Sequence, residues 1–129
     1  MNPNNYASLE ASKQLVEAGI KMETEAAWCP FGRNGEYKLL PIEYFPPTEV
    51  SKDVRIPAPS MAEVWRELPE YIEYKKDDRP LIEYLRIDKN GDGSLSCGYG
   101  QYSEMTINDN PTDALIDLLI WVRKEANHE

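Results

Sequence analysis

The stretch DKNGDGSLS, Asp88 to Ser96, decides how the second half of this chain folds. Two structures compete for it: the ion-binding loop of an EF-hand, and the turn of a β-hairpin. Counting Asp88 as position 1, Asn90 and Asp92 fill positions 3 and 5. Gly93 fills the sharp-turn position 6, and Ser94 can offer its carbonyl at 7. These are the places from which such a loop grips calcium. Position 12, which must supply a bidentate glutamate, is Tyr99. That removes two oxygens from a cation that wants six to eight. An exiting helix would also have to begin in SCGYGQY, where Gly98 and Gly100 each cost roughly 1 kcal/mol against alanine. Asn90-Gly91 and Asp92-Gly93 are favoured in hairpin connections, where positive φ angles are needed. The expectation is a hairpin. Asp88, Asn90 and Asp92 remain weak candidate ligands for a divalent ion.

Outward from the turn, the neighbouring segments agree with extended chain. YIEYK and LIEYLRI carry branched and aromatic residues, and SLSCGYGQY alternates small with larger ones. Breaks at KDDRP and DKNGDG divide Tyr71–Tyr102 into a three-stranded antiparallel meander. Beyond it, DNPTDALIDLLIWVRKE predicts a helix over Pro111–Lys124. Asn110 is the N-cap, Pro111 the first helical residue and Asp113 a favourable charge in the first turn. Its apolar residues cover most of the circumference, leaving a polar stripe of Asp113, Asp117 and Lys124.

Upstream, Ser60 and Glu63 form a capping box that opens a short helix over 61–67, with Met61, Val64, Trp65 and Leu68 as its apolar face and Pro69 as its stop. The three tryptophans, Trp28, Trp65 and Trp121, are expected to anchor the core. Between Trp28–Phe31 and Tyr37–Leu40, Asn34-Gly35 predicts an edge hairpin. Five prolines from Pro41 to Pro59 then exclude long central strands. Ser8–Ala18 predicts an amphipathic helix with Leu9, Ser12, Leu15 and Val16 on one side, closed by Gly19 and Ile20. Together these give one α+β domain over 1–129, with an antiparallel sheet of about four or five strands packed by N- and C-terminal helices and a short middle helix.

The 129 residues carry 14 basic and 23 acidic side chains, a net charge of −9. That excess disfavours direct binding to nucleic-acid phosphates or docking on an anionic membrane. It suits a basic protein partner or simple solubility. A mimic of nucleic acid is a further version, if the acids gather on one face. The start lacks a signal peptide and no apolar run spans a bilayer, so a soluble cytoplasmic protein with reduced thiols is expected. Cys29 and Cys97 are expected to be small buried hydrophobes.

Catalytic groups are scarce. His128 is the only histidine and lies in the second-to-last position, so neither a nucleophile–histidine pair nor a histidine zinc site has a base to build on. GYG lacks the residues of a phosphate-binding loop. The close acid pairs Glu23/Glu25, Asp77/Asp78 and Asp109/Asp113 read as solvated surface. A carboxylate hydrolase or transferase, with or without a divalent ion, is the alternative. It would show a concave pocket lined by two or more acids and an aromatic wall. No catalytic residue and no cofactor is expected. The leading expectation is a non-enzymatic protein-interaction module, with an aromatic and proline-rich surface at Tyr37, Tyr44, Phe45, Pro46 and Pro47, joined by Tyr99.

SKQLVEAGI, IPAPSMAEVWRELP and NDNPTDALIDLLIWVRKE resemble, in order and spacing, a group of small proteins of unknown function from gut anaerobic bacteria and their phages and mobile elements. In these an LVEAGI-like helix end precedes a PA-S helix start, an LP stop and a closing NP-DAL…LLIWL helix. The resemblance covers about half the chain. It implies an accessory role in a phage or mobile-element setting and brings no activity, cofactor or catalytic residue.

Overall fold

The computed structural model describes residues 2–31, 35–44, 55–100 and 105–126. The chain is α+β, with three α-helices and two antiparallel sheets. Helix α1 runs Leu9–Glu17. Ser8 caps it, its Oγ accepting the Ala11 N–H at 3.1 Å. Gly19 takes a positive φ of 74°, and the N–H groups of Gly19 and Ile20 return to the carbonyls of Val16 and Leu15. This double bond pattern is a Schellman motif, and it folds Ile20 back onto the core. The buried face is Ala11, Ser12 and Leu15, whereas Val16 is exposed. The helix has turned its apolar stripe about one residue from the face expected from spacing.

Strands β1 (Ala26–Phe31) and β2 (Glu36–Pro41) pair up to Phe31↔Glu36, so the connection takes in residues 32–35 rather than two residues. Strand β3 (Ile56–Ala58) adds to the other side of β1, giving the order β2-β1-β3. Pro57 sits in this edge strand, where a missing N–H is tolerated. Helix α2 (Met61–Glu67) has both halves of the capping box in place. Val64 and Leu68 are buried, but Trp65 is 51% exposed and does not anchor the core.

Strands β4 (Tyr71–Lys76), β5 (Arg79–Lys89), β6 (Leu95–Tyr99) and β7 (Thr106–Asn108) follow in a four-stranded meander. Strand β7 extends the three strands expected here, and β1–β3 form a separate sheet, not an extension of this one. Strand β5 is shared: residues 79–84 pair with β4, and 85–89 pair with β6. Helix α3 (Pro111–Ala126) lies on β6, β7 and α2, and contributes most of the large core side chains, among them Leu115, Ile116, Leu118 and Leu119.

Residues 4–8 stitch these parts together. The Asn110 side chain donates to the Tyr6 carbonyl, Thr112 to the Asn4 carbonyl and Trp28 Nε1 to the Ala7 carbonyl, while the Ala7 N–H reaches Pro59. The Ser8 N–H donates to Asp113 Oδ1 at 2.8 Å across 105 residues. Asp113 is therefore buried and used as an acceptor, not a solvated surface acid.

Candidate functional site

The loop at Asp88–Ser96 turns a hairpin. Lys89 pairs with Leu95, Asn90 N–H donates to the Ser94 carbonyl at 2.8 Å, and Gly93 takes the positive φ of 91° while Gly91 does not. The would-be ion ligands are occupied in holding this turn. Asp88 pairs with Arg86 at 3.0 Å. The Asn90 amide donates to the hydroxyls of Ser94 and Ser96, both at 2.8 Å. Asp92 Oδ1 accepts the Ser94 hydroxyl at 2.6 Å and the Ser94 N–H at 3.0 Å. Those two bonds stabilise the charged form and hold the Asp92 carboxyl below its ordinary range. From Leu95 the chain is strand, not helix.

Of the aromatic surface expected near 37–47, Tyr37 is half-buried with the Lys13 ammonium 5.8 Å from its ring centre. Tyr44 ends a short 3-10 turn, Ile42–Tyr44. Phe45, Pro46 and Pro47 lie outside the described residues. Tyr99 does not belong to that surface. It is fully buried, its phenol donates to the Pro69 carbonyl at 2.6 Å, and burial pushes its ionisation far up. Both cysteines are buried with raised thiol pKa values, in each case chiefly through desolvation. A buried, protonated thiol is a poor nucleophile.

Acids do converge in one concavity of about 550 Å³, lined by Glu23, Glu25, Glu63 and Glu67 with Lys21 and Arg66. No aromatic residue lines it. Glu63 is committed to the α2 cap and to the Glu25 N–H, and Glu67 pairs with Arg123 at 2.9 Å. Asp77 and Asp78 form the β4–β5 turn. Among the described residues no group of three or more His, Cys, Asp or Glu side chains is placed to hold a metal ion. The pattern of a carboxylate enzyme is half met: the acids gather, but without an aromatic wall and with two of four tied to the scaffold.

A different site stands out. Trp65 contributes to two concavities. The larger, about 620 Å³, is floored by Met61, Ile87, Leu95 and Leu115, with Asn2, Asn5, Tyr6 and Ser60 among its polar-tipped lining residues. The other, about 460 Å³, is lined by Trp65, Leu68, Glu70, Tyr84 and Leu85. The larger lies within the volume range of sites that enclose small molecules or single anchor side chains. Beyond Glu70 and Leu85 the aromatic surface continues. Tyr84 is 62% exposed and Tyr71 44%, and their rings lie 5.9 Å apart at 56°. Ile82, 50% exposed, shares their sheet face.

Helix α2 fixes Trp65 because Ser60 sets its start and Val64 and Leu68 turn inward, leaving the adjacent position at the rim. One sequence signal for this site exists in LIEYLRI. Apolar residues occupy both alternating sets of this strand, and a sheet covered on one face must then expose the other. No family model, no curated protein and no solved structure matches the chain.

Proposed function

We propose that this chain is a non-enzymatic protein-binding module. It takes an apolar anchor side chain of its partner against Trp65, with basic residues of the partner flanking that anchor. The observation that carries this is a half-exposed tryptophan shared by two concavities, one of them floored by the protein's own core. Covering the open half of an indole removes on the order of 100 Å² from water, about 2–3 kcal/mol. A rim ion pair is worth about 0.2–1 kcal/mol. The anchor therefore supplies affinity. The −9 charge supplies attraction and selects basic flanks. Tyr71, Tyr84 and Ile82 extend the surface toward the area a specific complex needs. An accessory role in a phage or mobile-element setting is part of the same proposal, supported by the family resemblance. The coding sequence should then sit among phage or mobile-element genes.

The binding test is a display selection from random peptides, followed by calorimetry on the enriched sequences. Enriched peptides should carry an aromatic or large aliphatic anchor beside Lys or Arg. Trp65→Ala should weaken them roughly 30-fold or more, the equivalent of about 2 kcal/mol. Circular dichroism should show the variant still folded. Failure to enrich any peptide, or enriched peptides indifferent to Trp65→Ala, would defeat the reading.

A further inference from the structure

The free edge of β4 points to a second site, independent of the Trp65 groove. We propose that two copies of this chain associate by antiparallel pairing of β4 with β4 about a two-fold axis at Tyr74, joining the two four-stranded sheets into one. The hairpin of β4 with residues 79–84 of β5 is an arm: among the described elements β4 packs chiefly on β5, with Ile72 reaching the core. Two strands alone are marginally stable in water. This arm also exposes apolar side chains, Leu81 on one face and Ile82 on the other.

Among the described residues no strand pairs with this edge, and its polarity is fixed by register. Lys76 and Arg79 close a two-residue turn, so they form a hydrogen-bonded pair, and the alternation continues through Tyr74↔Leu81 and Ile72↔Glu83. The Leu85 N–H to Glu70 carbonyl bond at 2.9 Å keeps the same phase. The backbone groups of Tyr71, Glu73 and Lys75 therefore face outward, where β4 ends the sheet. Pairing about Tyr74 sets Glu73 opposite Lys75 of the second copy, and the two-fold axis repeats the contact. It also stacks Tyr74 on its own copy, a favourable cross-strand aromatic pair.

The neighbouring registers that keep the outward groups paired set Glu73 against Glu73 or Lys75 against Lys75. One register alone matches the charges. Glu73 and Lys75 are exposed, and among the described residues neither makes an ion pair. Lysines on an edge ordinarily discourage strand pairing. Here the glutamate two residues away converts the same strand into its own complement.

Light scattering after size exclusion, on the full chain over a concentration series at low and high salt, tests this. The expected result is a dimer that forms with rising concentration and persists at high salt, where the mutual repulsion of the two −9 chains is screened. Glu73→Lys alone and Lys75→Glu alone each replace two opposite-charge contacts by two like-charge ones. Each should raise Kd on the order of tenfold or more. The double exchange, Glu73→Lys with Lys75→Glu, should restore the dimer. Circular dichroism should stay unchanged throughout, since both side chains are exposed. Trp65→Ala should dimerise like the parent chain. A monomer at every concentration, a dimer indifferent to the single exchanges, or no rescue by the double exchange would overturn the proposal. Loss of the dimer in Trp65→Ala would move the interface to the groove and overturn it equally.

Discussion

At the scale of single residues, the acids of this chain divide by what they accept. Asp92 and Asp113 each take a backbone N–H and thereby hold a turn or a helix start. Asp117 is different. Burial first and the nearby Asp113 charge second hold its carboxyl above the ordinary aspartate range. The fold then binds a proton more tightly than the unfolded chain does, so stability falls as pH rises from the ordinary aspartate pKa through the raised one. Above that window the whole cost is present, and below it none. Asp117→Asn should therefore raise the thermal midpoint at neutral pH, and the gain should vanish below about pH 4. Thermal melts of both proteins across pH check it. The sequence placed Asp113 and Asp117 together on a polar stripe. Only the docking of residues 4–8 distinguishes the two, because the partner of Asp113 lies 105 residues away.

At the scale of elements, the helices were legible because their signals are local. The Ser60–Glu63 box, Asn110 before Pro111, and Gly19 after α1 each act within one turn, and each is in place. What failed was the facing of side chains. Val16 and Trp65 lie at helical spacing with buried neighbours, yet each sits at the edge of a short helix whose partner covers a narrower arc. The turns show a similar limit. At the β4–β5 turn both central residues, Asp77 and Asp78, hold positive φ, 54° and 63°. The turn type asks for glycine in the second of these places. Asp78→Gly should relieve about 0.5–1 kcal/mol of backbone strain. Because β4 packs chiefly on β5, the effect is expected in local stability: amide exchange in β4 should slow about two- to fivefold. Global melting should move little. Equal or faster exchange in the variant would show that the aspartates are not strained there.

At the scale of the whole molecule, the class α+β and the placing of helices at both ends followed from element order. The division into two sheets did not, because β3 is three residues long and β7 likewise, too short for an alternation to register. The groove was illegible for the same reason that Trp65 was misplaced: it is made where α2 meets the strands, and only its aromatic extension left a signal, in LIEYLRI. The stitch through residues 4–8 is also non-local. Asp113→Ala should cost about 1–3 kcal/mol by orphaning the Ser8 N–H, whereas Asp113→Asn, which keeps an oxygen in place, should cost less. Urea unfolding of the two variants measures both. The same stitch governs when the protein can fold during its synthesis. Helix α3 supplies most of the large core side chains and receives the N-terminal residues. Nascent chain emerging through β7 thus has nothing to close upon. The native state must await translation past α3, and until then the apolar faces of the sheets lack the helix that covers them.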